Sequence, residues 1–427
     1  MWLILIFLAL LIFGVPIGFT MGITGLLYFL MGPDPSLFLT MIPERMFTGM
    51  DSFVLMAIPF FMLAGEIMNF SGISDRVIHF TNLLVGRFRG GLAHVNVASS
   101  MVFAGITGVA VGDVAALGSV FIPAMQKEGY DRGFSAAITA SSSLVGPIIP
   151  PSIIIVIYGA VMEMSIGALF AAAIIPGIIM GLANSAAVHV LSIRRNYPKR
   201  EVPVTIAEFV RGFYNASLSL LFPIIIVGGI VFGIFTPTEA AAVAVAYAFL
   251  LSRFFFRTLE MRRLHVAMLK ALKTSARIFL IIACVSILSW VFANEEVPQK
   301  LMLFVRGLTG NKYILLLILN LFLLFLGTWM TGSAAIILFA PILQPLIMSY
   351  GIHPLQWSII MIVNLVIGLI TPPLGIVLFA VSDIAEMRFS QTVRAIFPLR
   401  MVDIGALMLI TYYPPLTLTF PRVLGFI

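Results

Sequence analysis

Cysteine is almost missing: Cys284 stands alone among 427 residues. One thiol excludes an internal disulfide and any cysteine-based metal cluster, and leaves Cys284 to helix packing. Charge is scarce, at 10% Asp, Glu, Lys and Arg against 61% hydrophobic residues, far from the mixture of a soluble domain. The five histidines, at 79, 94, 189, 265 and 353, are scattered, with no pair at metal-ligand spacing. There is no Gly-x-Ser-x-Gly elbow, no phosphate loop and no His-Glu-x-x-His run. The chain therefore reads as no enzyme, needing no organic cofactor and hydrolysing no ATP itself. Basic residues are not interleaved with aromatics, which argues against a nucleic-acid partner.

What is abundant is apolar sequence of spanning length, from one end to the other. It predicts an all-α polytopic membrane protein in a lipid bilayer, one integral domain over 1–427. The opening Met1–Phe13 is apolar, without a basic leader or an Ala-x-Ala site, and reads as a retained span. The net charge of +7 reads as loop charge that sets topology. One basic cluster holds Arg76, Arg87 and Arg89, and a second holds Arg194, Arg195, Lys199 and Arg200. A third holds Arg253, Arg257, Arg262, Arg263, Lys270, Lys273 and Arg277. Two spans separate the second and third, so both can face the cytoplasm. The stretch 257–275 reads either as an interfacial helix or as a basic loop. Separate spans are read at 152–174 and 176–193.

Two Gly-x-x-x-Pro-Pro runs interrupt this apolar sequence, Gly146-Pro147-Ile148-Ile149-Pro150-Pro151 and Gly368-Leu369-Ile370-Thr371-Pro372-Pro373. The Pro-Pro pair in each removes two backbone donors and stops a regular helix. In hydrocarbon an unpaired carbonyl costs several kcal/mol, so such breaks persist only inside protein or beside a wet cavity. Gly129, Gly146, Pro150 and Pro151 recur 222 positions later as Gly351, Gly368, Pro372 and Pro373. Upstream, Ala116, Phe121 and Pro123 recur 218 positions later as Ala334, Phe339 and Pro341. Two short paired helices precede each break, one pair split at Gly105–Gly108 and the other at Gly327–Gly332, as in a re-entrant hairpin. The chain thus reads as two repeats, with cores at about 92–175 and 312–385, and scaffold helices at about 1–70, 176–294 and 396–420.

Broken helices expose carbonyls that suit a sodium ion and amides that suit an anion. Ser141, Ser142 and Ser143 precede the first break and Ser152 follows it; Thr371 lies in the second, with Asn364 upstream. The hairpin tips add Thr107, Asp113, Thr328, Thr331 and Ser333. Hard oxygen ligands with little net charge suit an alkali cation. Serine and threonine in membrane helices also commonly bond back to their own helix. Asp113, an acid within an apolar hairpin, is a functional candidate, with helix capping at 114–116 as its alternative. Glu239 reads as part of a helix cap.

These motifs resemble the DctM-like large membrane subunits of tripartite ATP-independent periplasmic (TRAP) transporters. The resemblance is carried over nearly the whole chain by Pro59–Glu66, Gly112-Asp113-Val114-Ala115-Ala116-Leu117-Gly118, Ala140–Gly146 running into Pro150-Pro151-Ser152, Gly233–Ala242, Gly332–Ile336 and Gly368–Gly375. It implies a multi-pass protein of the bacterial inner membrane, a small four-helix membrane partner, and a periplasmic binding protein that delivers a small organic anion. It also implies sodium-driven uptake by an elevator motion, with sodium held between each hairpin tip and the facing break. On that basis the two sodium sites are drawn from Gly105, Gly108, Ser141, Ser142, Ser143 and Gly146, and from Gly327, Thr328, Gly332, Gly368 and Thr371. The substrate site is drawn from Thr107, Val109, Asp113, Ser152, Thr331 and Ser333. Relatives often carry Ser-Gly-Ser where this chain has Thr107-Gly108-Val109, and Met-Asp where it has Met330-Thr331, so Thr331 is expected to line the site without the charge. A stand-alone sodium–dicarboxylate symporter and a channel-like pore are the alternatives.

Overall fold

The computed structural model describes residues 2–31, 35–199 and 205–427, so Arg200 of the second basic cluster lies outside the described residues. Among them the chain is all-helical apart from one isolated bridge between Arg89 and Lys199. Seven helices among the described residues are long and apolar enough to cross a membrane, which makes this a polytopic membrane protein.

Capping groups open many of these helices. Asp131 accepts from the amide of Phe134 at 2.9 Å, and Asn311 from that of Tyr313 at 2.9 Å. Thr236 and Glu239 form a reciprocal capping box with Pro237 at the first helical position, so Glu239 takes part in a helix cap as expected. The opening apolar stretch bends at Gly14 (φ +78°) into helices Trp2–Ile12 and Ile17–Leu30.

Two expectations are corrected. Helix Ile166–Arg194 runs unbroken through Pro176; an interior proline deletes one hydrogen bond and kinks a helix, which packed neighbours tolerate. The stretch 257–275 is neither interfacial helix nor loop, because helix Met261–Asn294 contains most of it and continues across the membrane. Its 34 residues rise about 51 Å, well beyond the ~30 Å hydrocarbon core, so the basic turns extend outside. Helices Pro35–Met50, Ile73–Val85, Val297–Leu308 and Pro415–Val423 are short and interrupted by polar residues, so apolar runs of spanning length do not predict them.

The three basic clusters share one end of the molecule. Arg89 bridges to Lys199, which joins the first to the second. The Arg76 guanidinium lies 3.8 Å from the centroid of the Phe256 ring, and Thr258 donates to Ser71 O at 2.8 Å, which joins the first to the third. Helices Ile206–Val231 and Pro237–Phe255 separate the second cluster from the third, as the positive-inside pattern requires.

The lone cysteine packs between helices. Gly18, Gly22 and Gly25 face Ile281, Cys284 and Ile287 of the long helix, and a Cβ on Gly22 would lie 3.0 Å from Cys284 Sγ. Small residues here let two backbones approach closely.

At the centre stand two helix pairs and two broken helices. The first pair is Gly91–Thr107 and 110–127, the second Lys312–Trp329 and Gly332–Ser349. Broken helix 1 runs Arg132–Ser142, turns through Ser143–Val145 and resumes as Ile153–Val161; broken helix 2 is Pro354–Gly368 and Ile376–Ile384. Each pair's leading helix lies against the first half of the broken helix that follows it. Each second half crosses over: Ile153–Val161 packs on Gly332–Ser349, and Ile376–Ile384 on 110–118. The helix after each break also crosses, Ile166–Arg194 to Pro354–Gly368 and Phe389–Tyr412 to Arg132–Ser142.

Candidate functional site

Proline supplies no amide, so the chain at 150–151 and 372–373 cannot continue the helical ladder. Both Pro–Pro bonds are cis. Helix Arg132–Ser142 tightens into a 3₁₀ turn at Ser143–Val145 and stops. Ser152 restarts the chain: its hydroxyl accepts from the amide of Ile155 at 3.4 Å and donates to Pro147 O, stitching the two sides together. At the second break the amide of Val377 reaches back to Leu369 O at 3.1 Å, and Gly375 (φ +59°) makes the turn.

The first pair's tip rests on the first break. Gly108 (φ +61°) ends helix Gly91–Thr107, and a Cβ there would lie 3.3 Å from both Pro151 O and the Ile153 amide nitrogen. A Cβ on Gly105 would lie 3.6 Å from Pro150 O and 2.5 Å from the Pro223 ring. Asp113, fully buried, points at the break: a Cβ on Gly146 would sit 2.1 Å from its Oδ2. Asp113 makes no side-chain cap to 114–116, since Val109 precedes the helix and Asp113 lies within it. The capping alternative is set aside.

The second tip meets the second break backbone to backbone. A Cβ on Gly368 would lie 2.4 Å from Gly327 Cα, and one on Gly327 would lie 2.9 Å from Leu365 O. A Cβ on Gly332 would lie 2.4 Å from Ile154 Cδ1, just beyond the first break. The two tip-and-break sites are thus neighbours, with Ile154 between them.

Around these points the oxygen atoms are arranged unequally. Ser143 donates to Ala140 O at 2.8 Å, Thr328 to Phe325 O at 2.7 Å and Thr371 to Ile367 O at 2.9 Å. A hydroxyl that gives its hydrogen to its own helix keeps lone pairs for a cation, so back-bonding and ligation are compatible. Ser142 accepts from Ser100 at 3.0 Å. Ser141 turns the other way, to Asn184 and Asp403, and leaves the ligand set. Val109 and Thr331 are exposed, with Thr331 Oγ1 and Ser333 Oγ 3.4 Å apart at the second tip. The side chain of Thr107 lies outside the described residues.

The family model of the tripartite ATP-independent periplasmic transporter, DctM component, matches residues 4–416. The chain belongs to the DctM family. Among similar DctM-type proteins, the sialic acid TRAP transporter large permease SiaM of Vibrio cholerae is 37% identical, with 97% of each chain covered. The C4-dicarboxylate TRAP transporter large permease DctM of Pseudomonas aeruginosa is 37% identical over 95% of this chain and 94% of its own. The isethionate permease DctMQ of Oleidesulfovibrio alaskensis is 37% identical over 96% of this chain and 64% of its own. These relatives are permeases and not enzymes, and the chain is accordingly a multi-pass protein of the bacterial inner membrane. Among solved structures, Neisseria gonorrhoeae MtrF shares the fold at a TM-score of 0.64 and 13% identity, covering 90% of this chain and 85% of its own. Alcanivorax borkumensis YdaH does so at 0.61 and 15%, covering 93% and 89%.

In this DctM-family chain the structure joins Asn364, named from the sequence, to buried polar residues that carry no motif. Asn364 donates to Asn320 at 2.6 Å, Asn320 to Thr411 at 3.2 Å, and Asn96 to Thr139 at 2.7 Å. Asp403 and Asn184 gather on Ser141. An acid inside an apolar span was itself the available signal for Asp403; its distance from both breaks hid it.

Proposed function

We propose that this permease takes up a small organic anion, a carboxylate or sulfonate, driven by a sodium gradient. A periplasmic binding protein delivers the anion, and a small four-helix membrane subunit completes the membrane part. The observation that supports this reading is the seating of each helix-pair tip on the break that follows it in its own half. Such a seating brings together backbone carbonyls and hydroxyl lone pairs, donors matched to a hard monovalent cation. The proposed ligands are Gly105, Gly108, Ser142, Ser143 and Gly146 at one site and Gly327, Thr328, Gly332, Gly368 and Thr371 at the other. Asp113 adds the one full negative charge, at the first. The anion fits the exposed tips, with Val109, Thr331 and Ser333 lining it beside Thr107 and the restart at Ser152. The two helix pairs are re-entrant in this reading, the halves are inverted repeats, and the central helices move against a scaffold as an elevator. Sialic acid, C4-dicarboxylates and isethionate, named for the relatives, share one property: each bears an acidic group.

The test is uptake into vesicles holding the chain and its small partner. Labelled sialic acid, succinate and isethionate are offered in turn, each with a matching binding protein and an inward sodium gradient. Accumulation of one of them, abolished by collapsing the gradient, is expected. Accumulation that persists without sodium and without a proton gradient would remove the coupling. Uptake needing no binding protein would favour the stand-alone symporter.

A further inference from the structure

Three side chains without solvent exposure meet away from both breaks: Ser141 on broken helix 1, Asn184 on Ile166–Arg194 and Asp403 on Phe389–Tyr412. Ser141 Oγ lies 2.6 Å from Asn184 Oδ1 and 2.6 Å from Asp403 Oδ2. Asn184 Nδ2 donates to Asp403 Oδ1 at 2.9 Å and to Met180 O at 3.2 Å. Oxygens 2.6 Å apart are joined by a hydrogen, and a cation does not fit between them.

The hydrogens are then counted. Both amide hydrogens of Asn184 are engaged. The Ser141 hydroxyl has one hydrogen for two short oxygen contacts, so one contact lacks its hydrogen unless the carboxyl supplies it. Turning the Asn184 amide over does not help. Its nitrogen would then serve Ser141, but its oxygen would face Asp403 Oδ1 at the 2.9 Å now held by the nitrogen, and again a carboxyl hydrogen is needed. Nor does a charged side chain among the described residues pair with an ionised carboxylate here. The charged or titratable groups on the elements packed against this helix are Arg132, His189, Arg194 and Asp383, with none on Pro354–Gly368. None of them hydrogen-bonds or pairs with Asp403, nor do Arg394, Arg400 or Tyr412 on its own helix. An uncompensated charge in a dry interior is strongly disfavoured.

We propose that Asp403 is a proton-binding site. The neutral carboxyl donates from Oδ2 to Ser141 Oγ, whose own hydrogen passes on to Asn184 Oδ1. The bound proton fastens the first half of broken helix 1 to the two helices that follow the breaks. Releasing it leaves the single Ser141 hydrogen to serve two short oxygen contacts, so one of them is lost and all three helices loosen.

The full chain with its small partner, in lipid vesicles, provides the test. Infrared spectra at pH 7 should contain the carbonyl band of a protonated carboxylic acid, shifted in heavy water and missing from Asp403→Asn. A wild-type spectrum that matches the variant there overturns the assignment. Ser141→Ala keeps the carboxyl and removes its acceptor, so the band should move; an unmoved band also overturns it. Melting should carry the same signature: the wild-type midpoint falls relative to that of Asp403→Asn, a neutral mimic, as pH rises from about 4 through 7. Parallel falls in both proteins count against the proposal. No readout involves sodium or transported solute, so failure here is separable from failure of the transport reading.

Discussion

Asn364 donates its side-chain amide to Asn320 at 2.6 Å, eight residues ahead of Pro372, and Ser100 donates to Ser142 at 3.0 Å, eight residues ahead of Pro150. Each bond ties the leading helix of a pair to the broken helix that follows. Asn364→Ala should leave Asn320 Oδ1 buried without its donor, at a cost of about 1–3 kcal/mol. A lower melting midpoint in detergent would register it. Replacing both partners with leucine should recover part of the loss, because neither group is then left unsatisfied.

The Gly327–Gly368 contact leaves no room for a methyl group, since one on Gly368 would lie 2.4 Å from backbone. Gly368→Ala should destabilise by about 1–3 kcal/mol or more and abolish uptake in the vesicle assay. Gly405→Ala is the control: nothing lies within 4 Å of the added carbon, and the helix should gain about 0.5–1 kcal/mol.

Asp113→Asn retains shape and removes the charge that faces Gly146. The half-saturating sodium concentration for uptake should rise at least about tenfold, equivalent to ~1.4 kcal/mol. Ser143→Ala and Thr371→Ala should shift it less. A sodium titration that superimposes on wild type would eliminate the substituted residue as a ligand.

His353 gives acid sensitivity at a loop. Its Nδ1 accepts from the amide of Leu355 at 3.2 Å, and burial, with Arg422 nearby, holds the imidazole below its ordinary value of 6.5. The folded chain therefore resists protonation there. The cap is fully present above pH 6.5, and its stability is lost as pH falls toward the lowered value. His353→Asn keeps a capping oxygen without the titration, so its melting midpoint should fall less between pH 7 and pH 5 than that of wild type.

Much of this architecture was legible because double prolines in apolar sequence have few physical outcomes. Gly146–Pro151 and Gly368–Pro373 located both breaks, and tip glycines at 105, 108, 327 and 332 located what rests on them. Composition alone could not separate Pro176, which a packed helix absorbs, from the prolines that end one. Nor could it reveal the direction of a side chain. Ser141 and Ser143 are two residues apart, yet a helix turns them to different faces, and only packing shows that Ser141 meets Asp403. Mostly exposed helices such as Val297–Leu308, interrupted by Gln299, Lys300 and Arg306, lacked the uninterrupted hydropathy by which a span declares itself.

The crossed second halves bear on synthesis. Ile153–Val161 is flanked by Gly332–Ser349, which the ribosome reaches roughly 170 residues later, about 10–35 s at ordinary elongation rates. Until then the early half waits in the bilayer with one wall missing and its broken backbone uncovered. Insertion of this chain is therefore two-stage by construction, and the interval is where a truncated product or a stalled ribosome would leave an unfinished pocket open to lipid.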